Sequence, residues 1–223
     1  MNRVYLDYNA SAPLREEARE AMVHAMALAG NPSSVHAEGR QARAIVETAR
    51  QQVAAALGAQ GADVIFTSGA TEAAGLALTG RGIRCADIEH EAVSSWCQSD
   101  LSCGLDGGVA CQAPGATALQ LANSETGILQ QLPDGLALCD MTQAFGKLPV
   151  AFHWSAAAMA LVSAHKIGGP KGVGALIVKR GTEVAAQIKG GGQEMGRRSG
   201  TENVIGIAGF GAAAEAAQRD LAD

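Results

Sequence analysis

The sequence is poor in aromatic residues, in charge and in paired cysteines. Of its 223 residues, 4% are aromatic and 17% are charged, and the formal net charge is -5. A chain without a basic surplus lacks the electrostatic footprint of a nucleic-acid-binding protein. The five cysteines are odd in number and form no C-x-x-C pair, which argues against a disulfide framework and against a zinc site. Each cysteine is therefore expected to be a small buried or half-buried side chain.

Long apolar runs are also missing from the sequence. No run approaches the ~18 residues that a membrane span needs, and residues 1–7 contain no apolar signal core. The sequence thus predicts a cytoplasmic protein with no membrane partner. Its 48% of hydrophobic residues and its 28 glycines predict a compact α/β fold with one sizeable core and close backbone contacts.

Apolar periodicity and turn residues divide the chain into helices and strands. Helices are predicted at about 15–29, 38–57, 72–78, 91–98, 182–188 and 201–221. Strands are predicted at about 63–66, 83–88, 119–122, 136–139, 156–162 and 175–178. Residues 4–6 are expected to be a short strand or an extended arm, and residues 156–160 alone could be helical. Ser199 and Glu202 have the spacing of a capping box for the last helix.

A lysine set among glycines, Lys166, lies between the apolar runs 156–162 and 175–178. Glycines at such a tight connection let a ligand or another backbone approach closely. A partly desolvated lysine loses its proton more easily, and its neutral amine can form a Schiff base with an aldehyde. Most lysines are solvated side chains on the surface, so other parts of the chain must decide whether Lys166 is a solvated turn lysine or a Schiff-base lysine.

Polar residues also follow other predicted strands. Residues 67–72 place small polar residues and a glycine between a strand and a helix start, which favours a phosphate, although an ordinary helix cap has the same pattern. Asp140 follows a predicted strand, with Thr142 and Gln143 close behind, and Asn123 follows another. Open α/β sheets bind ligands at the carboxyl ends of their strands. A lysine, a carboxylate and phosphate donors together are the parts of a pyridoxal phosphate site.

Four blocks of the chain resemble the cysteine desulfurases, which belong to the class V aminotransferase family of fold-type I pyridoxal phosphate enzymes. In chain order they are residues 5–10 (YLDYNA), 67–72 (TSGATE), 164–174 (AHKIGGPKGVG) and 190–204 (GGGQEMGRRSGTENV). The resemblance implies an α/β fold, the three-layer large domain of a PLP-dependent transferase with a mostly parallel central sheet. It implies an N-terminal arm over residues 1–14 and a PLP-binding domain over residues 15–223.

The resemblance also assigns a role to each matching residue. Lys166 and His90 are implied as catalytic, the lysine through its bond to pyridoxal phosphate and the histidine through stacking on the ring and proton transfer. Asp140 is implied as the partner of the pyridinium nitrogen, Gln143 as that of the phenolic oxygen, and Asn123 as a neighbour of the ring and substrate. The implied phosphate ligands are Ala70, Thr71, Ser163, His165 and, from a neighbouring subunit, Thr201.

The implied reaction converts L-cysteine, or a similar amino acid, to L-alanine and passes the sulfur to a carrier for iron-sulfur cluster or thio-cofactor supply. A homodimer and a sulfur-acceptor protein are the implied partners. Another class V reaction, such as that of selenocysteine lyase or of an aminotransferase, would use the same lysine, carboxylate and histidine. A non-catalytic cofactor-binding or partner protein would also keep these residues.

The chain departs from the family pattern in several places. Ser124 and Gly75 stand where asparagines are usual, and Met141 stands where a small residue is common. The spans 90–123 and 127–140 are shorter than in the family, so an apolar face of the sheet is expected to be exposed unless another segment covers it. Members of the family continue past the position of Asp223 into a smaller C-terminal domain, which carries the nucleophilic cysteine and the substrate-binding arginine, and this chain is expected to lack it. None of its five cysteines matches that nucleophile.

Overall fold

The computed structural model describes residues 3–221. The first two residues of the predicted arm and the last two of the predicted PLP-binding domain lie outside these described residues. The α-helices are α1 (Glu16–Met26), α2 (Ala37–Ala56), α3 (Ala70–Leu78), α4 (Glu91–Ser94) and α5 (Val204–Asp220). The strands are β1 (Asp63–Thr67), β2 (Arg84–Ala86), β3 (Gln98–Leu101), β4 (Thr117–Gln120), β5 (Leu138–Asp140), β6 (Met159–Ser163) and β7 (Gly174–Val178). Between residues 3 and 221, no helix is long and apolar enough to cross a membrane.

All seven strands belong to one sheet in the order β1-β7-β6-β5-β4-β2-β3. Strand β7 is antiparallel to both of its neighbours, and the other four pairings are parallel. The predicted α/β fold with a mostly parallel sheet is therefore confirmed. Strands β1, β2, β4, β5 and β6 end at one edge of the sheet, and β7 begins there because Thr67 and Ser163 both pair with Gly174. This carboxyl edge is where an open α/β sheet places its ligands.

Helices cover both faces of the sheet and give it three layers. On one face, Val53 of α2 and Phe210 of α5 share a buried cluster with Val162 of β6. On the other face, Leu76 of α3 packs in a second cluster with Leu161 of the same strand. Successive residues of β6 thus face opposite cores, as expected for a strand that is buried on both sides.

The sheet behind the shortened spans is covered by another segment, which is the condition under which no exposed apolar face is expected. Cys85 of β2 and Leu119 of β4 are each 0% exposed. Val109, from one shortened span, packs against the core. The side chain of Gln130, from the other span, accepts the Val109 N–H at 3.0 Å and donates to the carbonyl of Gly107 at 2.7 Å. One buried amide therefore joins the two short spans into a cover for this part of the sheet.

Two predicted helices differ from the described structure. The helix expected at 91–98 ends after one turn in α4, because the following residues pair with β2 as the edge strand β3. That pairing satisfies backbone groups which a longer helix would satisfy internally. Residues 182–188 are irregular rather than helical, and Val184 alone of this stretch packs on the core. Residues 4–6 form no strand, which leaves the extended arm of the two predicted alternatives.

The last helix begins three residues later than predicted. Its cap is Asn203, whose Oδ1 accepts the Gly206 N–H at 3.1 Å. The predicted capping box of Ser199 and Glu202 is wrong, because the Ser199 hydroxyl instead donates to the carbonyl of Gly191 at 2.7 Å. Asparagine is as good a helix cap as serine, so the sequence alone allows the helix to begin after either Ser199 or Asn203. The fold of the turn before the helix decides for Asn203.

Candidate active site

A cavity of about 480 Å³ opens at the carboxyl edge of the sheet. Its walls come from the N-terminal arm, the start of α3, the ends of β5 and β6 and the turn that follows β6. The predicted site residues that line it are Ala70, Thr71, His90, Asp140, Gln143, Ser163, His165 and Lys166. Segments that are far apart in the sequence thus place eight predicted side chains around one space.

The carboxyl of Asp140 lies in this cavity at the end of β5. Its Oδ1 accepts the Thr142 backbone N–H at 2.8 Å, which fixes the side chain. Burial raises the pKa of Asp140, while the hydrogen bond from the Thr142 backbone N–H and the charges of His90 and Lys166 oppose that rise. A cationic partner would stabilise the ionised form of this buried carboxyl, because an opposite charge nearby lowers its pKa.

The amine of Lys166 lies in the same cavity, one 3₁₀ turn after β6. Its Nζ donates a hydrogen bond to the backbone carbonyl of Asn9 in the N-terminal arm. Burial lowers the pKa of Lys166, and the carboxylates of Asp140 and Asp7 oppose this effect. A lowered pKa increases the fraction of neutral amine, which is the form that attacks an aldehyde.

Glycines allow the close packing that holds the lysine turn. Gly168 has a φ of +81°, and a Cβ at this position would lie 2.9 Å from the carbonyl oxygen of Pro13. Gly174 passes so near the start of α3 that its Cβ would lie 2.7 Å from the Cα of Gly69. Both contacts are shorter than a side chain tolerates, so glycine is required for the lysine turn to reach the arm and for β7 to pass behind α3.

One end of the cavity is rich in hydrogen-bond donors. The start of α3 lines it with Ala70 and Thr71, and the first N–H groups of a helix have no partners within the helix. These groups and the helix dipole favour an anion. Ser163 and His165 line the same cavity from the end of β6. The arrangement fits the phosphate group that the sequence predicts here.

The ring of His90 lines the cavity from the start of α4. Its Nδ1 accepts the Ala92 backbone N–H at 3.0 Å, which caps the helix. Because Nδ1 is an acceptor in this bond, the neutral ring carries its proton on Nε2. The helix cap therefore sets the tautomer of the histidine.

Two predicted site residues do not line the cavity. The Oδ1 of Asn123 accepts the backbone N–H groups of Glu125 and Thr126, both at 2.9 Å. Its side chain is therefore committed to the turn that brings Ser124 to the cavity wall. Thr201 is exposed and lies outside the cavity, and its contact with a neighbouring subunit stays a prediction.

Other cavity residues were not predicted as site residues. The N-terminal arm is one of them: the carbonyl of Asn9 accepts a hydrogen bond from Gln143 Nε2 at 3.1 Å as well as one from Lys166. The sequence held a signal for this contact, because residues 5–10 are one of the blocks that resemble the family. Thr142 is a second cavity residue without a predicted role, and its hydroxyl is buried with no hydrogen-bond partner among the described residues. The additional polar residues of the wall are Ser11, Ser68, Gln120, Ser124, Thr142 and Lys171.

The donor set of the cavity fits pyridoxal phosphate. Lys166 offers an amine with a lowered pKa, and Asp140 offers a carboxyl whose pKa would return toward its usual range beside a cation. The start of α3 offers an anion site. The unused hydroxyl of Thr142 is a buried polar group that a ligand atom would satisfy.

A buried ion pair fastens the segment 190–202 beside the cavity. Arg50 donates to both carboxylate oxygens of Glu194, at 2.8 and 2.9 Å, and Glu194 also accepts the Phe66 N–H at 2.8 Å. Glu194 and Met195 have φ values of 47° and 59°, a strained region for residues other than glycine. Two further ion pairs hold the segment, Arg197–Asp63 at 2.7 Å and Arg198–Glu72 at 2.8 Å.

The chain is similar to known proteins over nearly its whole length. Residues 4–105 and 113–221 match the family described as Aminotransferase class-V. A cysteine desulfurase from Frankia sp. (strain EuIK1) is 38% identical over 266 aligned positions, which cover 99% of this chain and 64% of the relative. The chain thus spans just under two thirds of that relative. Because the alignment is longer than the chain, it contains gaps in this chain, in agreement with the shortened spans.

Solved structures share the fold. A NifS-like protein from Rickettsia africae ESF-5 has a TM-score of 0.91 and 31% identity, and the match covers 99% of this chain and 70% of that one. A structure described as SspA in complex with cysteine has a TM-score of 0.87 and 29% identity, with 96% of this chain and 72% of that one covered. The predicted fold and the predicted resemblance are both confirmed.

Proposed function

Because the chain belongs to the class V aminotransferase family, whose members depend on pyridoxal phosphate, we propose that its cavity holds this cofactor for a cysteine desulfurase reaction. The observation that carries the proposal is the meeting of Lys166, Asp140 and the start of α3 in one cavity. The substrate class follows from the relatives, which are named cysteine desulfurases. The net reaction with a thiol acceptor takes L-cysteine and two thiols to L-alanine, hydrogen sulfide and one disulfide.

The chain's own residues would hold the cofactor and move protons in this reaction. Pyridoxal phosphate, when bound, supplies an aldehyde and a ring that accepts electrons from the α-carbon of an amino acid. Lys166 would hold the cofactor covalently and then act as an amine base. Asp140 would keep a proton on the pyridine nitrogen, Gln143 would bind the phenolic oxygen, and His90 would move a proton at Nε2. The start of α3 would bind the phosphate with Ser163 and His165.

The remaining sequence-based predictions belong to the same proposal. They are an arm over residues 1–14 and a PLP-binding domain over residues 15–223, a cytoplasmic homodimer and a sulfur-acceptor partner. The arm prediction is supported by the Asn9 carbonyl, which accepts from Lys166. The homodimer prediction is supported by the exposure of Thr201 on a segment that three ion pairs hold in place.

Asp140→Asn is expected to retain cofactor binding and to lose most of the sulfur-releasing activity. Asparagine keeps an oxygen for the Thr142 N–H but cannot carry the negative charge that holds the proton. We expect the rate of alanine formation from L-cysteine to fall roughly 10²-fold or more, as when a preorganised electrostatic group is removed. Asp134→Asn, at an exposed carboxylate, is the matched control and should leave the rate unchanged. Equal rates for the two variants would contradict the role of Asp140.

The identity of the substrate is tested by comparing amino acids on one preparation. The protein loaded with pyridoxal phosphate is incubated with excess dithiothreitol and with L-cysteine, L-selenocysteine or L-alanine plus a keto acid. Alanine and sulfide from L-cysteine are the expected products. Activity with selenocysteine alone would indicate a lyase, amino-group transfer would indicate an aminotransferase, and no product despite bound cofactor would indicate a binding protein.

A further inference from the structure

A second carboxyl, that of Glu89, is buried beside the cavity. The residue is 8% exposed, and its Oε1 accepts the Gln120 backbone N–H at 2.8 Å. Its Oε2 is buried and has no hydrogen-bond partner in the described part of the chain. Gln120 is the register partner of Asp140 in the β4–β5 ladder. Glu89 is therefore anchored one strand away from the cavity carboxylate.

The surroundings of Glu89 favour its neutral form. Burying an ionised carboxylate with an unpartnered oxygen costs far more free energy than burying a neutral carboxylic acid. The titratable groups that face Glu89 are Asp140 and Cys139 of β5, Cys85 of β2 and Cys97 before β3. None of these four groups offers a positive charge to Glu89, and the charges of Asp140 and Cys85 oppose its ionisation. Burial first, and then the neighbouring Asp140, raises the pKa of Glu89 to about 8.

We propose that Glu89 is a positioning residue for Asp140, a neutral carboxylic acid that holds the β4 backbone and leaves Asp140 as the single ionised carboxyl of the pair. This inference rests on the proposed function, because it concerns the proton that Asp140 would keep on the cofactor. Two neighbouring carboxyls titrate as a coupled pair. When Glu89 ionises in alkaline solution, a second negative charge beside Asp140 changes the proton affinity of whatever atom Asp140 contacts.

The protonation of Glu89 is measurable by infrared spectroscopy on the full chain without added cofactor. We expect the carbonyl stretch of a protonated carboxylic acid at pH 7, its absence in Glu89→Gln, and its disappearance at pH values near 8. In Asp140→Asn the band should disappear at a lower pH, because the neighbouring negative charge is gone. The proposal would be overturned if no Glu89-dependent band were present at pH 7. It would also be overturned if the band disappeared at the same pH in the wild type and in Asp140→Asn.

The positioning role is measurable on the protein loaded with pyridoxal phosphate. The absorbance spectrum of the bound cofactor should change in a transition near pH 8, and Glu89→Gln should remove this transition. Glu91→Gln, which changes an exposed neighbouring residue, is the control and should retain it. Glutamine keeps an acceptor for the Gln120 N–H, and a circular dichroism spectrum checks that the variant folds. An identical transition in wild type and Glu89→Gln would overturn the positioning role. A wild-type protein that binds no cofactor would overturn the proposed function, and the infrared titration would still decide whether Glu89 is neutral.

Discussion

Replacing Lys166 by alanine is expected to abolish covalent attachment of pyridoxal phosphate. Burial lowers the pKa of the Lys166 amine and so favours its neutral, nucleophilic form, and a methyl group cannot replace it. The wild-type protein should give a yellow adduct that borohydride fixes and that intact-mass measurement detects. The variant should show no fixed mass increase.

Lys171→Ala is the matched control for this loss. Lys171 lines the same cavity but is exposed, so its removal changes the local charge equally and leaves the reactive amine in place. We expect its adduct to match that of the wild type. A fixed adduct of wild-type yield in the Lys166→Ala variant would show that another amine holds the cofactor.

Glu194→Gln is expected to lower the free energy of unfolding by about 3 kcal/mol, because it leaves the Arg50 charge without its buried partner. The Glu194 side chain is 3% exposed and that of Arg50 is 17% exposed. The estimate is at the lower end of the usual cost because Arg50 also contacts Glu47 at 3.3 Å. Urea denaturation monitored by circular dichroism measures the change.

An exposed ion pair provides the comparison. Glu16 and Arg19 form a salt bridge whose side chains are 58% and 59% exposed, and pairs of this kind contribute little to stability because water screens them. Glu16→Gln should therefore change the free energy of unfolding much less than Glu194→Gln does. Equal losses in the Glu194 and Glu16 variants would mean that the buried pair does not anchor the segment 190–202.

The parts of the site that follow directly from buried strands could be predicted from sequence. Asp140 and Lys166 each follow a short apolar run bounded by turn residues, which is the pattern of a strand buried on both faces. Their carboxyl ends meet at one edge because the strands are parallel. The meeting of lysine and carboxylate is therefore a consequence of topology, and the resemblance to the family supplied the topology.

The parts that depend on tertiary pairing could not be predicted. Residues 98–101 have no strong strand pattern and become β3 only because the edge of β2 is open to them. The cover over the shortened spans depends on one amide, that of Gln130, reaching two backbone groups. The commitment of Asn123 to its own turn and the burial of Glu89 against Gln120 are likewise contacts that no local pattern encodes.

The absorbance spectrum of the purified protein with pyridoxal phosphate, recorded before and after addition of L-cysteine, tests whether this cavity is a pyridoxal phosphate site. We predict a band distinct from that of the free cofactor, a change in this band on adding cysteine, and the release of alanine and sulfide. A spectrum that stays that of the free cofactor throughout would contradict the claim that this cavity is a pyridoxal phosphate site.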